Sequence, residues 1–411
     1  MKNLLKITTL SVITATAIYA GGYKIPETSL NGIALSAANV AHGHGADAAY
    51  YNPANMAFMK DENSLEADLI YIGLDPVKFK GSVGSDPTLH DISAKSESFF
   101  IPSLNYVSPK LGNARVGLSI VVPGGLSKEW DDSPAKDVAQ EFTLKTVEFN
   151  PTIAVPVNDK LALAFGFRMV YSKGIVKSTS PALASRDMTG DSLDFGYNLA
   201  LAYKPTSALE IGATYRSKIG LSEEGNAKLY IGDTTGAKVY DGGASVTVPL
   251  PAALNLAVAY TFKTKTTVEL VYERNFWSAY KSLDFNYKSP ISPILQPSFD
   301  APITKDWHDT SAFRLGLTQK LDSMTLMAGM VYDKTPVPNG SYSFELPDSD
   351  SLSVSLGGRY MINDAINVGL SALYSMRDNR TINAADNNNQ INGEFSNANV
   401  LILSAGIGYK F

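Results

Sequence analysis

From Leu401 to Phe411 the chain alternates with a period of two. Leu401, Leu403, Ala405, Ile407, Tyr409 and Phe411 share one face of an extended segment, and Ile402, Ser404, Gly406, Gly408 and Lys410 share the other. Side chains alternate across a strand, so this segment has a greasy face and a mostly small or polar one. The pattern recurs. Leu161, Leu163, Phe165, Phe167, Met169 and Tyr171 oppose Ala162, Ala164, Gly166 and Arg168. Leu209, Ile211, Ala213 and Tyr215 oppose Glu210, Gly212, Thr214 and Arg216. Ile366, Val368, Leu370, Ala372 and Tyr374 oppose Asn367, Gly369 and Ser371. Repeated rows of this kind predict a closed sheet with lipid outside and polar groups inside, because a charge on the lipid face costs about 2–4 kcal/mol at the midplane.

Fourteen strand-like segments are read, at 63–75, 97–109, 113–123, 140–157, 159–173, 189–204, 207–218, 244–262, 266–286, 308–320, 324–335, 350–362, 365–377 and 396–411. Their connections alternate in length. Short turns fall near Lys110–Asn113, Asn158–Asp159, Lys204–Ser207, Lys263–Lys265, Asp322–Ser323 and Asn363–Asp364, and long loops lie between them. That alternation is the signature of an all-β, transmembrane antiparallel β-barrel. An even strand number puts both barrel ends on the periplasmic side, and closure satisfies the edge hydrogen bonds that lipid cannot. A periplasmic β-sandwich gives no reason for the alternating loops. The barrel is assigned to residues 63–411.

Residues 21–62 break the pattern. They are rich in glycine and alanine, with Ile25, Leu30, Ile33, Leu35, Val40, Tyr50 and Tyr51 among them. Disordered tails are usually polar, and a wide barrel leaves a lumen that wall side chains cannot fill. A hatch inside the lumen is expected. Ahead of it, Lys2 and Lys6 give a positive start, Leu4 to Ile18 form a short apolar stretch, and Ala20 precedes Gly21. The stretch is shorter than the about 20 apolar residues of a spanning helix, so residues 1–20 read as a signal peptide.

Composition agrees. Charged residues are 18% of the 411, below the soluble average of about 25%. With no cysteine, disulfides, thiolate metal sites and cysteine nucleophiles are excluded, which suits an oxidising compartment. A net charge of -5 points to no nucleic-acid partner.

Several motifs together resemble the FadL family of outer-membrane transporters for long-chain fatty acids and other hydrophobic compounds, toluene included. They are Asn52-Pro53-Ala54, then Phe100-Ile101-Pro102-Ser103 with Tyr106, then Leu250-Pro251 and Trp277-Ser278. Arg314 with Gly316, Tyr332-Asp333-Lys334-Thr335-Pro336-Val337-Pro338 and Leu346-Pro347-Asp348-Ser349-Asp350 follow in order. The resemblance covers essentially the whole chain after the signal peptide. It implies about 14 strands, and the strand count above is not independent of it. It also implies a lumenal hatch, capture of the ligand in an apolar groove of the third and fourth outer loops, transfer to a pocket against the hatch, and lateral release through a wall gap.

The residues suit that chemistry. Burying a fatty acid contributes about 0.8 kcal/mol per methylene. The third long loop offers Ile175, Val176, Pro181, Ala182 and Leu183, and the fourth Ile219, Leu221, Leu229, Tyr230 and Ile231; exposed apolar loop residues mark binding surfaces unless they pack on each other. A carboxylate head needs a cation. Inward candidates are Arg168, Arg216, Arg314 and Arg359, each equally able to pair with lumen acids. The resemblance adds Lys173, in a matching Val-Tyr-x-basic setting. It also places a wall gap at a kink in the third strand, where Pro123-Gly124-Gly125 stands, although these three also suit a simple turn. Asn52, Pro53 and Ala54 are hatch residues of hinge or purely structural role.

No enzyme is expected. The four histidines, His42, His44, His90 and His308, lie on no strand beside a nucleophilic serine. His42-Gly43-His44 lacks a third ligand, so no metal is expected, and no cofactor. The expected role is passive uptake of fatty acids or similar hydrophobic molecules. Aromatic or alkane hydrocarbon uptake, or a general porin, are the alternatives. The expected surroundings are outer-membrane lipid and lipopolysaccharide, with the chain monomeric.

Overall fold

The computed structural model describes residues 21–179 and 184–411; the expected signal peptide and Pro181, Ala182 and Leu183 lie outside them. Fourteen antiparallel wall strands follow in chain order. These are β1 (Ser64–Leu74), β2 (Glu97–Val107), β3 (Arg115–Val121), β4 (Glu141–Pro156), β5 (Leu161–Thr179), β6 (Ala184–Tyr203) and β7 (Leu209–Arg216). Then come β8 (Ala252–Thr261), β9 (Thr266–Phe276), β10 (Thr310–Lys320), β11 (Met324–Asp333), β12 (Ser351–Met361), β13 (Ile366–Arg377) and β14 (Val400–Lys410). The wall closes where β1 meets β14 in register from Ser64↔Lys410 to Leu74↔Val400.

The alternating rows land as the sequence pattern requires. Leu163, Phe165, Phe167 and Tyr171 are exposed to the outside, while Ala162, Ala164 and Arg168 are buried within. Aromatic residues ring both rims. Tyr203, Tyr260, Tyr360 and Tyr409 stand near the short turns, and Phe100, Phe195, Phe313 and Tyr374 near the long loops, the girdles of a membrane-spanning barrel. Two of the short turns are closed by asparagines: Asn158 Oδ1 accepts from Lys160 N (2.8 Å) and Leu161 N (2.9 Å), and Asn363 Oδ1 accepts from Ala365 N (2.9 Å) and Ile366 N (2.8 Å). Such side-chain turns replace a backbone bond locally.

The outer side differs from expectation. β5 and β6 run far past the lipid, and the fourth loop is a hairpin of Ile219–Ile231 against Ala237–Leu250. Its first strand also pairs with β6, from Glu224↔Asp191 to Ile231↔Ala184. The expected strand 244–262 therefore fuses the end of this hairpin's second strand with β8, across Pro251. Likewise 266–286 overruns β9, which ends before a single 3₁₀ turn at Trp277–Ala279. Outside the bilayer no face must be apolar, so the period-two signal fades there.

Residues 21–63 sit inside the wall. A short helix, Leu30–Ala34, is capped by Ser29, whose side chain accepts from Gly32 N. Asn52 caps the 3₁₀ turn Pro53–Phe58 by accepting from Ala54 N, with Pro53 at its first position, where a missing N–H costs nothing. Wall acids grip the hatch backbone. Glu269 Oε1 accepts from Val40 N and Ala41 N, both at 2.7 Å, and Asp68 Oδ2 accepts from Leu30 N at 3.1 Å. Glycines let the two backbones touch: a Cβ on Gly212 would lie 2.8 Å from Val40 O, and one on Gly329 only 2.3 Å from the Leu35 carbonyl carbon.

Candidate functional site

Two neighbouring cavities lie between the outer loops and the start of the hatch. The outer one, of about 360 Å³, lies between Phe142, Ala184, Arg186, Leu283, Phe299 and Ile303. Phe142, Leu283 and Glu345 are shared with the inner one, whose walls are Leu126, Leu144, Val176, Val246, Val248, Phe285 and Leu346. The floor of the inner pocket is aromatic. Tyr23 of the hatch meets Trp277 at 4.8 Å and Trp307 at 5.7 Å between ring centroids, and Tyr280 meets Trp307 at 4.9 Å. Only about 30 Å³ is open there, so the side chains stand closed together. Apolar walls of this kind take hydrocarbon, and Trp307 Nε1 on the pocket and Trp277 Nε1 behind it are buried without partners.

Polar groups are uneven: the inner pocket has Thr143, Glu223, Lys305 and Glu345, while the outer one is lined by Asp137, Ser178, Ser298, Ser343 and Asn389 as well as Arg186. Arg186 is 5% exposed, stacks over Phe285 at 4.7 Å and Phe299 at 5.4 Å, and leaves Nε and Nη1 without partners. A buried guanidinium with free donors is costly and is relieved by an anion. Lys305, by contrast, is committed to Glu345. Glu223, on the outer hairpin above the lipid-facing rows, is buried with Oε1 unpartnered. Burial pushes its carboxyl up to about 7; a hydrogen bond with Ser172 opposes the rise, and Asp191 and Asp194 add to it.

The lumen arginines are spoken for. Arg168 donates to Glu148 (2.9 Å from Nη2) and to Ser217 O (2.7 Å), and Arg216 shares the same Glu148. Arg314 reaches Glu27 at 3.0 Å and Glu273 at 3.3 Å; Arg359 donates to Asn31 at 2.7 Å and sits 3.5 Å from Glu66. None of the four lines either cavity. Lys173 lies on the outward row of β5 above Tyr171, beside Lys145 and Asp191, and is exposed. Strand alternation turns it away from the pocket that its neighbours Gly174 and Val176 line.

The loop candidates divide as well. Ile175 follows Lys173 on the outward row, half-buried; Leu221 and Leu229 are fully buried in hairpin packing; Tyr230 is half-buried and Ile231 exposed. Leu183 lies outside the described residues. Arg186 was not anticipated, because a lone arginine in a long loop carries no periodic signal.

The third strand breaks where the motif stands. Among the described residues, β2 pairs with β3 only from Leu104↔Ile120 to Val107↔Gly117. At Val122 to Gly124 the chain turns inward: Ile25 N donates to Pro123 O (3.0 Å) and Gly125 N to Tyr23 O (2.8 Å). Gly125–Glu129 then returns to the wall against β4. Above the break, Lys128 reaches Glu97 at 3.4 Å. Leu126 and Tyr23, beside this break in the ladder, both line the inner pocket. Asn52, meanwhile, donates to Val40 O (2.8 Å) and to Leu201 O on β6 (3.1 Å), tying hatch to wall.

The sequence profile described as "Outer membrane protein transport protein (OMPP1/FadL/TodX)" matches residues 11–411. The chain is 25% identical over 401 residues to the long-chain fatty acid transport protein of Salmonella typhi, across 88% of this chain and 89% of that one. Among solved structures, a Pseudomonas aeruginosa FadL homologue superposes with a TM-score of 0.82 at 20% identity, covering 95% of this chain and 99% of that one. The Ralstonia pickettii toluene transporter TbuX gives 0.70 at 17% identity, with 93% and 97% covered. These likenesses to structures show the fold.

Proposed function

The chain belongs to the outer membrane protein transport protein family (OMPP1/FadL/TodX), and from that premise we propose that it carries long-chain fatty acids, or amphiphiles like them, passively across the outer membrane. The single observation that carries this reading is the apolar inner pocket against the hatch, with the buried Arg186, whose Nε and Nη1 lack partners, in the cavity beyond it. The acyl chain enters the inner pocket by displacing the closed side chains, and Arg186 holds the carboxylate. Movement of the Tyr23–Ile25 segment away from Pro123 and Gly124 then joins the pocket to the break between β2 and β3, and the ligand leaves sideways into lipid. The hatch fills the lumen, which speaks against an open water-filled porin. Residues 1–20 serve as the export signal, and the chain carries no catalytic role.

A second reading has its own support. The buried Glu223 carboxyl, with Oε1 unpartnered, and the aromatic floor favour a neutral aromatic hydrocarbon in the inner pocket. The test separates the two. Cells with and without the protein are given labelled oleate or labelled toluene. Protein-dependent oleate uptake supports the first reading, toluene uptake alone the second, and neither defeats both.

A further inference from the structure

At the periplasmic end, the hatch meets the wall through a donor set unlike the rest. His42 and His44 project from the hatch, and Glu210 from β7. One ligating atom of each lies within 4.8 Å of the other two. His42 Nδ1 faces His44 Nε2 at 3.1 Å, His44 Nε2 is 3.9 Å from Glu210 Oε1, and His42 Nδ1 also touches Glu210 Oε2. A proton on His42 Nδ1 serves the carboxylate but leaves the His44 nitrogen facing a filled position. One cation placed among the three atoms serves all of them. A tetrahedral ion about 2.0–2.1 Å from two imidazole nitrogens holds them about 3.4 Å apart, close to the spacing present here.

The site is also held ready. Glu269 accepts from the backbone N–H of Val40, Ala41 and His42, fixing the loop that presents the first ring. Lys204 engages Glu210 Oε1, orienting the carboxylate. A cavity of about 240 Å³ opens beside both histidines, with room for water ligands. The third donor lies 168 residues from His42, which is why the sequence alone offers only an incomplete pair.

We propose that His42, His44 and Glu210 bind one transition-metal dication of the Zn²⁺, Ni²⁺ or Cu²⁺ class, which fastens the hatch to β7. Two imidazoles select such ions over Mg²⁺ and Ca²⁺, which need oxygen donors. The neighbouring Lys204 and Lys320 disfavour any cation attracted by carboxylate charge alone. This inference is independent of which ligand the barrel carries.

The test is calorimetric titration of the full barrel in detergent, without any polyhistidine tag, with ZnCl₂ and separately with MgCl₂. Expected is one saturable zinc site and no magnesium site. His44→Ala is the informative variant, since that side chain is 39% exposed and its truncation spares the packing. It should weaken zinc binding at least tenfold, and Glu210→Gln should do the same. Zinc should also slow protease cleavage within residues 21–62 of the parent and leave the His44→Ala rate unchanged. Equal zinc titrations for the parent and His44→Ala, or no saturable site in the parent, overturn the proposal.

Discussion

Replacing Arg186 by methionine should separate charged from neutral ligands. Methionine keeps an unbranched, apolar filling between Phe285 and Phe299 and removes only the guanidinium. In the resting barrel that group is 5% exposed with Nε and Nη1 unpartnered, so its loss should not lower thermal stability; an uncompensated buried charge is a cost. In the complex it supplies at least one charge-assisted hydrogen bond to the carboxylate, worth about 1.5–3 kcal/mol. At about 1.4 kcal/mol per tenfold, oleate should bind about 10- to 150-fold more weakly. A neutral C18 hydrocarbon, 1-octadecene, loses only contact with the side-chain stem and should change less than about threefold. The assay is equilibrium binding of each labelled ligand to the purified barrel in the same detergent. An equal loss for both ligands, or unchanged oleate binding, would refute the assignment of Arg186 to the head group.

Other outcomes follow from the same geometry. Glu148→Gln leaves Arg168 and Arg216 buried without their shared carboxylate and should destabilise the wall by about 3–5 kcal/mol, read as a lower unfolding temperature in gel-shift heating. Glu223 titrates near 7 in the folded loops against an ordinary value of 4.5. Its neutral form is the favoured one, so loop stability is fullest below the ordinary value and falls as pH rises through about 7. Trypsin should then cut at Lys228 faster at pH 8 than at pH 6, relative to Glu223→Gln, which should lose that difference. Deleting residues 21–62 should raise single-channel conductance for small ions in planar bilayers; an unchanged conductance would show that these residues do not block the lumen.

The wall was readable because lipid imposes a rule on every second residue. Leu163 to Tyr171 and Leu401 to Phe411 obey it, and their outward faces are exposed as expected. Where lipid ends, so did legibility: β5 continues to Thr179, and the Ile219–Leu250 hairpin stands where irregular loops were expected. The arginines were correctly read as inward and able to pair with lumen acids, but the particular pairs were mostly not legible. Glu273, Glu148, Glu27 and Glu66 hold them, while Glu269 grips hatch amides and Glu210 faces histidines. Which acid meets which base depends on strand register, and no local pattern fixes that. Lys173 shows the limit of a motif: a basic residue in a matching setting still points wherever strand parity sends it. Arg186 was invisible because its importance comes from what fails to pair with it.

The bare-glycine contacts between hatch and wall bear on how the molecule is made. With not even a methyl's clearance at Gly212 or Gly329, a finished cylinder offers no route for the stopper to slide home. β1 follows the hatch directly and is also the strand that seals against β14. Assembly therefore closes around its own contents, and the stopper is in place before the last seam is sealed.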